Sequence, residues 1–125
     1  MVVDELSQSE TDRIFQALAD ATRRDIVSRT VTNGQSVSSL AQHYEMSFAA
    51  VQKHVSVLER ALLVEKVRSG REQLVHSRLD TIEKAASLLR GYEELWKERA
   101  MRIQNILDDD TIDTAISTKT ERTQQ

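Results

Sequence analysis

The chain contains no cysteine and no proline. The first absence excludes a disulfide framework and any thiolate metal site. The second, with glycine confined to positions 34, 70 and 91, leaves few tight turns and favours a mostly helical chain. No apolar run approaches the roughly 18 residues that a membrane span needs. The opening "MVVDELSQSETD" is acidic and lacks the basic-then-apolar layout of a signal peptide, so the expected location is the cytoplasm. A Gly-rich phosphate loop, a nucleophile elbow and a metal-ligand helix motif are missing too. No enzymatic activity and no cofactor are therefore expected. The 125 residues suit one domain with one core.

The net charge of −3 conceals a division. Residues 1–20 hold one base against five acids, residues 21–78 nine bases against five acids, and residues 79–125 seven against ten. Only the middle segment is basic, and local charge decides which surface faces a polyanion.

That segment holds "MSFAAVQKHVSVLERALL", residues 46–63. Val51, Val55, Leu58 and Leu62 recur at steps of four, three and four, which is one face of a helix. Ala49, Lys53, Ser56 and Arg60 recur opposite them, with Gln52 on a flank. Ser47 is placed to cap this helix. Ser36 caps a shorter one before it, "VSSLAQHY", in which Val37, Leu40 and Ala41 share a side. Two helices across a short turn, with one buried and one free face, form the helix-turn-helix layout. Upstream, Ser9 or Thr11 starts a helix through "DRIFQALA", Asp20 caps "ATRRDIVSRTV", and Asn33-Gly34 marks a turn. Downstream, Val64, Val67, Leu74 and Val75 favour strands. Ser69-Gly70 reads as the hairpin turn between them, and Arg68 and Arg71 flank its tip, as in a wing.

From Asp80 the pattern is helical for about 28 residues. Ile82, Ala86, Leu89, Tyr92, Trp96, Ala100, Ile103 and Leu107 recur at steps of three or four, and Ala85, Leu88, Leu95 and Ile106 add a second row. One small domain cannot cover so long a stripe, and the surplus asks for a second copy. The expected organisation is a flexible N-terminus over 1–10, a domain over 11–107, and an acidic, polar, disordered tail over 108–125.

Taken together, "FQALADATRRDIV", "SVSSLAQHYEMSFAAVQKHVSVLERALLV", "VRSGREQLV" and "YEELWKERAMRI" resemble the ArsR-type winged helix-turn-helix transcriptional regulators, over about residues 12–107. The match is to a cysteine-less subgroup without metal ligands. The resemblance implies a mainly α fold of about five helices with a two-stranded β-hairpin wing. It implies a homodimer formed mainly through the first and last helices, and two recognition helices reading an inverted-repeat operator, usually to repress. There are three departures. Ala21 stands where proline is frequent at a first helical position. Leu62 stands where glycine is common after the recognition helix: either it takes a left-handed conformation at about 1–2 kcal/mol, or the helix runs on by a residue. Gln52 stands where serine is frequent, which points to a different operator sequence.

Gln52 and Lys53 are the base-reading candidates, because the N-terminal part of such a helix enters the major groove. Glutamine can pair with adenine, lysine with guanine or phosphate, and Ala49 can touch a thymine methyl. Ser47 is both cap and phosphate candidate. Ser56 and His54 are lesser candidates on the same helix, Arg68, Arg71 and Gln73 are candidates in the wing, and Arg23 is one at the head of the second helix. For each, the alternative is a solvated or packing role. Phe15, Leu89, Tyr92, Trp96 and Ile103 are the expected dimer interface. His43, His54 and His76 are not paired at metal spacing, so no metal site is expected. The expected partners are double-stranded DNA and a second copy, but no membrane; an organic or protein effector and regulation by expression level alone both stay open. The alternative function is a winged-helix protein-interaction module that does not read DNA sequence.

Overall fold

A computed structural model describes residues 6–123, with side chains described through Asp109. Helix α1, Gln8–Leu18, begins earlier than a cap at Ser9 or Thr11 would place it. Ser7 is the N-cap. Its hydroxyl accepts from the Glu10 amide at 3.1 Å, and the Glu10 carboxylate accepts from the Ser7 amide at 3.0 Å. "SQSE" thus forms a reciprocal capping box. Helical order enters the segment expected to be flexible, while residues 1–5 lie outside the described residues.

Helix α1 has no base in its own last turn. The next helix, α2, Ala21–Thr32, supplies them. Arg23 donates to the carbonyls of Ala17 at 2.7 Å and Gln16 at 3.1 Å, and Arg24 donates to that of Leu18 at 2.7 Å. The Ala17 and Leu18 carbonyls are ones that a helix end leaves without partners, and that of Gln16 also accepts from the Ala19 amide at 3.2 Å. Two arginines at the head of α2 oppose that helix's dipole, but they complement the end of α1. Asp20 caps α2 as expected, accepting from the Arg23 amide at 2.9 Å.

Helix α3, Val37–Ala41, is capped by Ser36, and α4, Phe48–Arg60, by Ser47. Ile14, Ala17, Ile26, Leu40, Val51, Val55 and Leu58 bury fully and form the core where these helices meet. Tyr44, in the turn between α3 and α4, donates to the Asp25 carboxylate at 2.6 Å, and Arg29 reaches the same oxygen at 2.7 Å. That bond anchors the turn to α2.

Leu62 does not continue the buried stripe. It is 45% exposed and has a φ of 60°. Its amide donates to Glu59 at 2.9 Å, and the Leu63 amide donates to Leu58 at 3.0 Å. This bond pair is the Schellman termination, with leucine in the left-handed place where glycine is at ease. Of the two outcomes open in the sequence, the left-handed one is realised. Leu63 and Val64 then turn inward and bury.

Strands β1, Val64–Ser69, and β2, Glu72–Ser77, pair antiparallel, with Ser69 opposite Glu72. The turn is therefore Gly70-Arg71, not Ser69-Gly70. Gly70 takes the positive φ (63°) that a two-residue hairpin demands at its first loop position. A single bridge joins Gln35 to Val75 through bonds of 3.1 and 2.7 Å, fastening the wing's base to the α2–α3 loop. Beside it, Gly34 packs against the His76 ring so closely that a Cβ would overlap it.

Helix α5 runs from Leu79 to Thr123. Its backbone is helical through residues 108–123, where a disordered tail was expected. The side chains from 110 onward and residues 124 and 125 lie outside the described residues. The chain divides into two compact units, Met1–Ser87 and Leu88–Gln125. Ala85 and Ile82, at the start of α5, pack on the core of the first.

Candidate nucleic-acid interface

The site is built on α4, and its geometry begins at Ser47. The Ser47 hydroxyl accepts from the Ala50 amide at 3.1 Å, so it is engaged as a cap. The first turn of α4 carries no acid, which leaves the positive end of its dipole uncompensated. One face of the helix is closed, since Val51, Val55 and Leu58 have no accessible surface. On the other face Ala49, Gln52 and Lys53 are exposed and Ser56 is half-buried. Lys53 has no carboxylate within ion-pair distance among the described residues.

The wing adds a second cationic element. Arg68 and Gln73 sit directly opposite each other across the ladder, and Arg71 occupies the turn. All three are exposed, and neither arginine is ion-paired among the described residues. Lys66, nearer the base of the wing, is committed to Glu59 of α4 at 3.6 Å.

Two of the sequence candidates are placed differently. Arg23 and His54 meet one another, with Arg23 Nη1 3.2 Å from His54 Nδ1. Their polar atoms face the junction of α1, α2 and α4. Asp20 stands 3.9 Å from the same imidazole nitrogen. Its carboxyl is held below the usual range, chiefly by the Arg23 amide. Ser47, Ala49, Gln52, Lys53 and Ser56 thus share α4, and Arg68, Arg71 and Gln73 share the wing, whereas Arg23 and His54 join a structural network.

One exposed residue was not among the candidates. Phe48 opens α4 and is 47% exposed. Its spacing to Val51 and Val55 would assign it to the buried stripe, but it lies in the first turn, beyond the end of the core. Among the expected interface residues, Phe15 is half-buried, while Leu89, Tyr92, Trp96 and Ile103 are exposed, with the Arg99 guanidinium 6.0 Å from the Trp96 ring centre. Among the described residues no cluster of three or more His, Cys, Asp or Glu is arranged to hold a metal ion, and no helix is long and apolar enough to cross a membrane.

No family model matches the chain. It is similar to the solved structure of an ArsR-like transcriptional regulator from Rhodococcus sp. RHA1, at 34% identity and a TM-score of 0.69, covering 78% of this chain and 92% of that one. It is 47% identical over 53 residues to the HTH-type transcriptional regulator Rv2034 of Mycobacterium tuberculosis, a stretch that is 42% of this chain but spans only 50% of that relative's length. It is 26% identical over 70 residues to the transcriptional repressor SdpR of Bacillus subtilis, covering 56% of this chain and 76% of the relative.

Proposed function

The chain belongs to the ArsR family of transcriptional regulators, and from that premise we propose that it binds an inverted-repeat DNA operator as a homodimer and represses transcription there. One observation carries the proposal. The N-terminal half of α4 exposes Ala49, Gln52 and Lys53 on an acid-free face while the opposite face is fully closed. A major groove admits such a helix, and these three side chains suit a thymine methyl, an adenine and a guanine or phosphate. Ser47 presents the helix N-terminus to a phosphate, and Arg68, Arg71 and Gln73 follow the flanking backbone. The two copies of α4 sit about 34–36 Å apart, one turn of duplex. Arg23 and His54 act here by holding α4 against α1 rather than by touching DNA. Repression is the favoured mode because the Bacillus relative bears that name.

The test is selection of bound fragments from random DNA, followed by titration of the selected site at several salt concentrations. Three unpaired cations per protomer, doubled in a dimer, predict a log–log salt slope of about −5. Lys53→Ala and Gln52→Ala are each expected to cost about 1–3 kcal/mol of binding and to relax specificity at separate positions. Retained affinity and preference in both variants, with the fold intact, would remove α4 from the role. Equal affinity for selected and scrambled duplexes would favour a protein-interaction module.

A further inference from the structure

A small cavity of about 90 Å³ lies among the first turns of α1, the end of α4 and the start of α5. Leu6, Ile14, Ala61 and Leu62 give it apolar walls. Arg13, Arg60, Arg78 and Lys84 surround it with positive charge, against two carboxylates, Glu10 and Asp80. Both acids are engaged. Asp80 accepts from Arg78 at 2.9 and 3.3 Å, and Glu10 accepts from the Ser7 amide at 3.0 Å. Arg13, Arg60 and Lys84 have no carboxylate within ion-pair distance among the described residues. Among the described residues that line it, the cavity therefore has an excess of two positive charges over an apolar floor.

Leu62 supplies an independent pointer. It holds a left-handed backbone that glycine would adopt without strain, yet it does not bury itself in the core. It is instead one of the residues that line this cavity. Strain retained at a residue that lines a cavity points to use of that residue.

We propose that the cavity binds a small organic anion, a carboxylate on a short aliphatic chain. The carboxylate pairs with Arg13 and Lys84, and the chain lies on Ile14 and Leu62. An apolar cavity of about 150 Å³ takes the six carbons of benzene, so this smaller one holds roughly three or four carbons of the chain and, being open, lets the rest reach solvent. Arg60 ends the recognition helix and Leu62 joins it to the wing, so occupancy acts at the joint between the two DNA-facing elements. That consequence rests on the function proposed above; the binding itself does not.

The experiment titrates sodium hexanoate into the full chain and follows backbone amide resonances. Saturable shifts are expected at Ile14, Ala61, Leu62 and Leu63, with 1-hexanol and inorganic phosphate each binding about tenfold more weakly or worse. Leu62→Gly should unfold at the same or a higher temperature yet bind hexanoate at least about tenfold more weakly, as should Arg13→Gln/Lys84→Gln. Absence of saturable shifts, equal binding of hexanol or phosphate, or wild-type binding by Leu62→Gly overturns the site. Saturating hexanoate should change operator affinity by about fivefold or more; unchanged affinity overturns the coupling. A chain that binds hexanoate but no duplex overturns the DNA-binding proposal instead and leaves the cavity standing.

Discussion

Gly34 and Leu62 pose opposite backbone problems. Gly34 has no unusual φ, but its missing side chain makes room for the His76 ring. Gly34→Ala is expected to lower stability by about 1–3 kcal/mol, the usual cost of forcing extra volume into a packed contact. In a Gly34→Ala/His76→Ala chain the loss should shrink, because the alanine then meets no ring; urea denaturation of the four variants measures that coupling. Purely additive losses would show that the contact is not the cause. Leu62 has room but the wrong backbone hand. Leu62→Gly is expected to change stability by between zero and a gain of about 1 kcal/mol, the released strain being partly offset by glycine's greater freedom when unfolded. Leu62→Val should lose about 1–2 kcal/mol, since a β-branched residue tolerates positive φ worst.

At the scale of elements, the anchorage of α4 separates residues that build the candidate site from residues that would use it. Arg23 closes the end of α1 and meets His54 of α4. Arg23→Met should cost about 1–3 kcal/mol of stability, whereas Lys53→Ala, free and exposed, should stay within about 0.5 kcal/mol of wild type while weakening operator binding. The Tyr44–Asp25 bond fixes the other end of the helix-turn-helix. Burial, and then the Asp25 carboxylate, push the Tyr44 hydroxyl from its ordinary 10 up to about 12. A group whose folded pKa is raised stabilises the fold fully below its unfolded value and loses that contribution as pH climbs through the folded one. Stability should thus fall between pH 10 and about 12. Tyr44→Phe should be less stable at pH 8 by about 1 kcal/mol but lose less across that window, and parallel slopes in thermal melts would refute the link. Much of this architecture was legible: the caps Asp20, Ser36 and Ser47, the stripe Val51–Val55–Leu58 and the strand pair follow from local spacing. The role of Arg23 was not, because the carbonyls it satisfies belong to the preceding helix and no periodicity records that partner. Leu62 misled for a related reason. It keeps stripe spacing, and spacing does not reveal where the helix stops.

For the whole molecule the open question is what covers the apolar surface of α5. Beyond Leu88, Leu89, Tyr92, Leu95, Trp96, Met101, Ile103, Ile106 and Leu107 are all about half exposed or more. Soluble monomers seldom leave so continuous an apolar row in water, and burial of each large side chain contributes about 1.5–3 kcal/mol. A second copy offers the same row, so a two-fold pairing satisfies both at once. In that pairing Trp96, 67% exposed in the single chain, has the most surface to lose and is the expected hot spot. Trp96→Ala should weaken dimerisation by about 2 kcal/mol or more, roughly thirtyfold in Kd by sedimentation equilibrium. Lys97→Ala is the control one residue away. Its pairing with Glu93 at 3.9 Å is solvent-exposed and contributes at most about 1 kcal/mol, so the dimer should survive its loss. The melting temperature of the wild-type chain should rise with protein concentration, and that of Trp96→Ala should do so only at higher concentrations. If the two variants dimerise alike, or the wild-type chain melts at one temperature at every concentration, the stripe serves something other than a second copy. Paired readout of an inverted repeat would then lose its physical basis, even if a single α4 still gripped DNA.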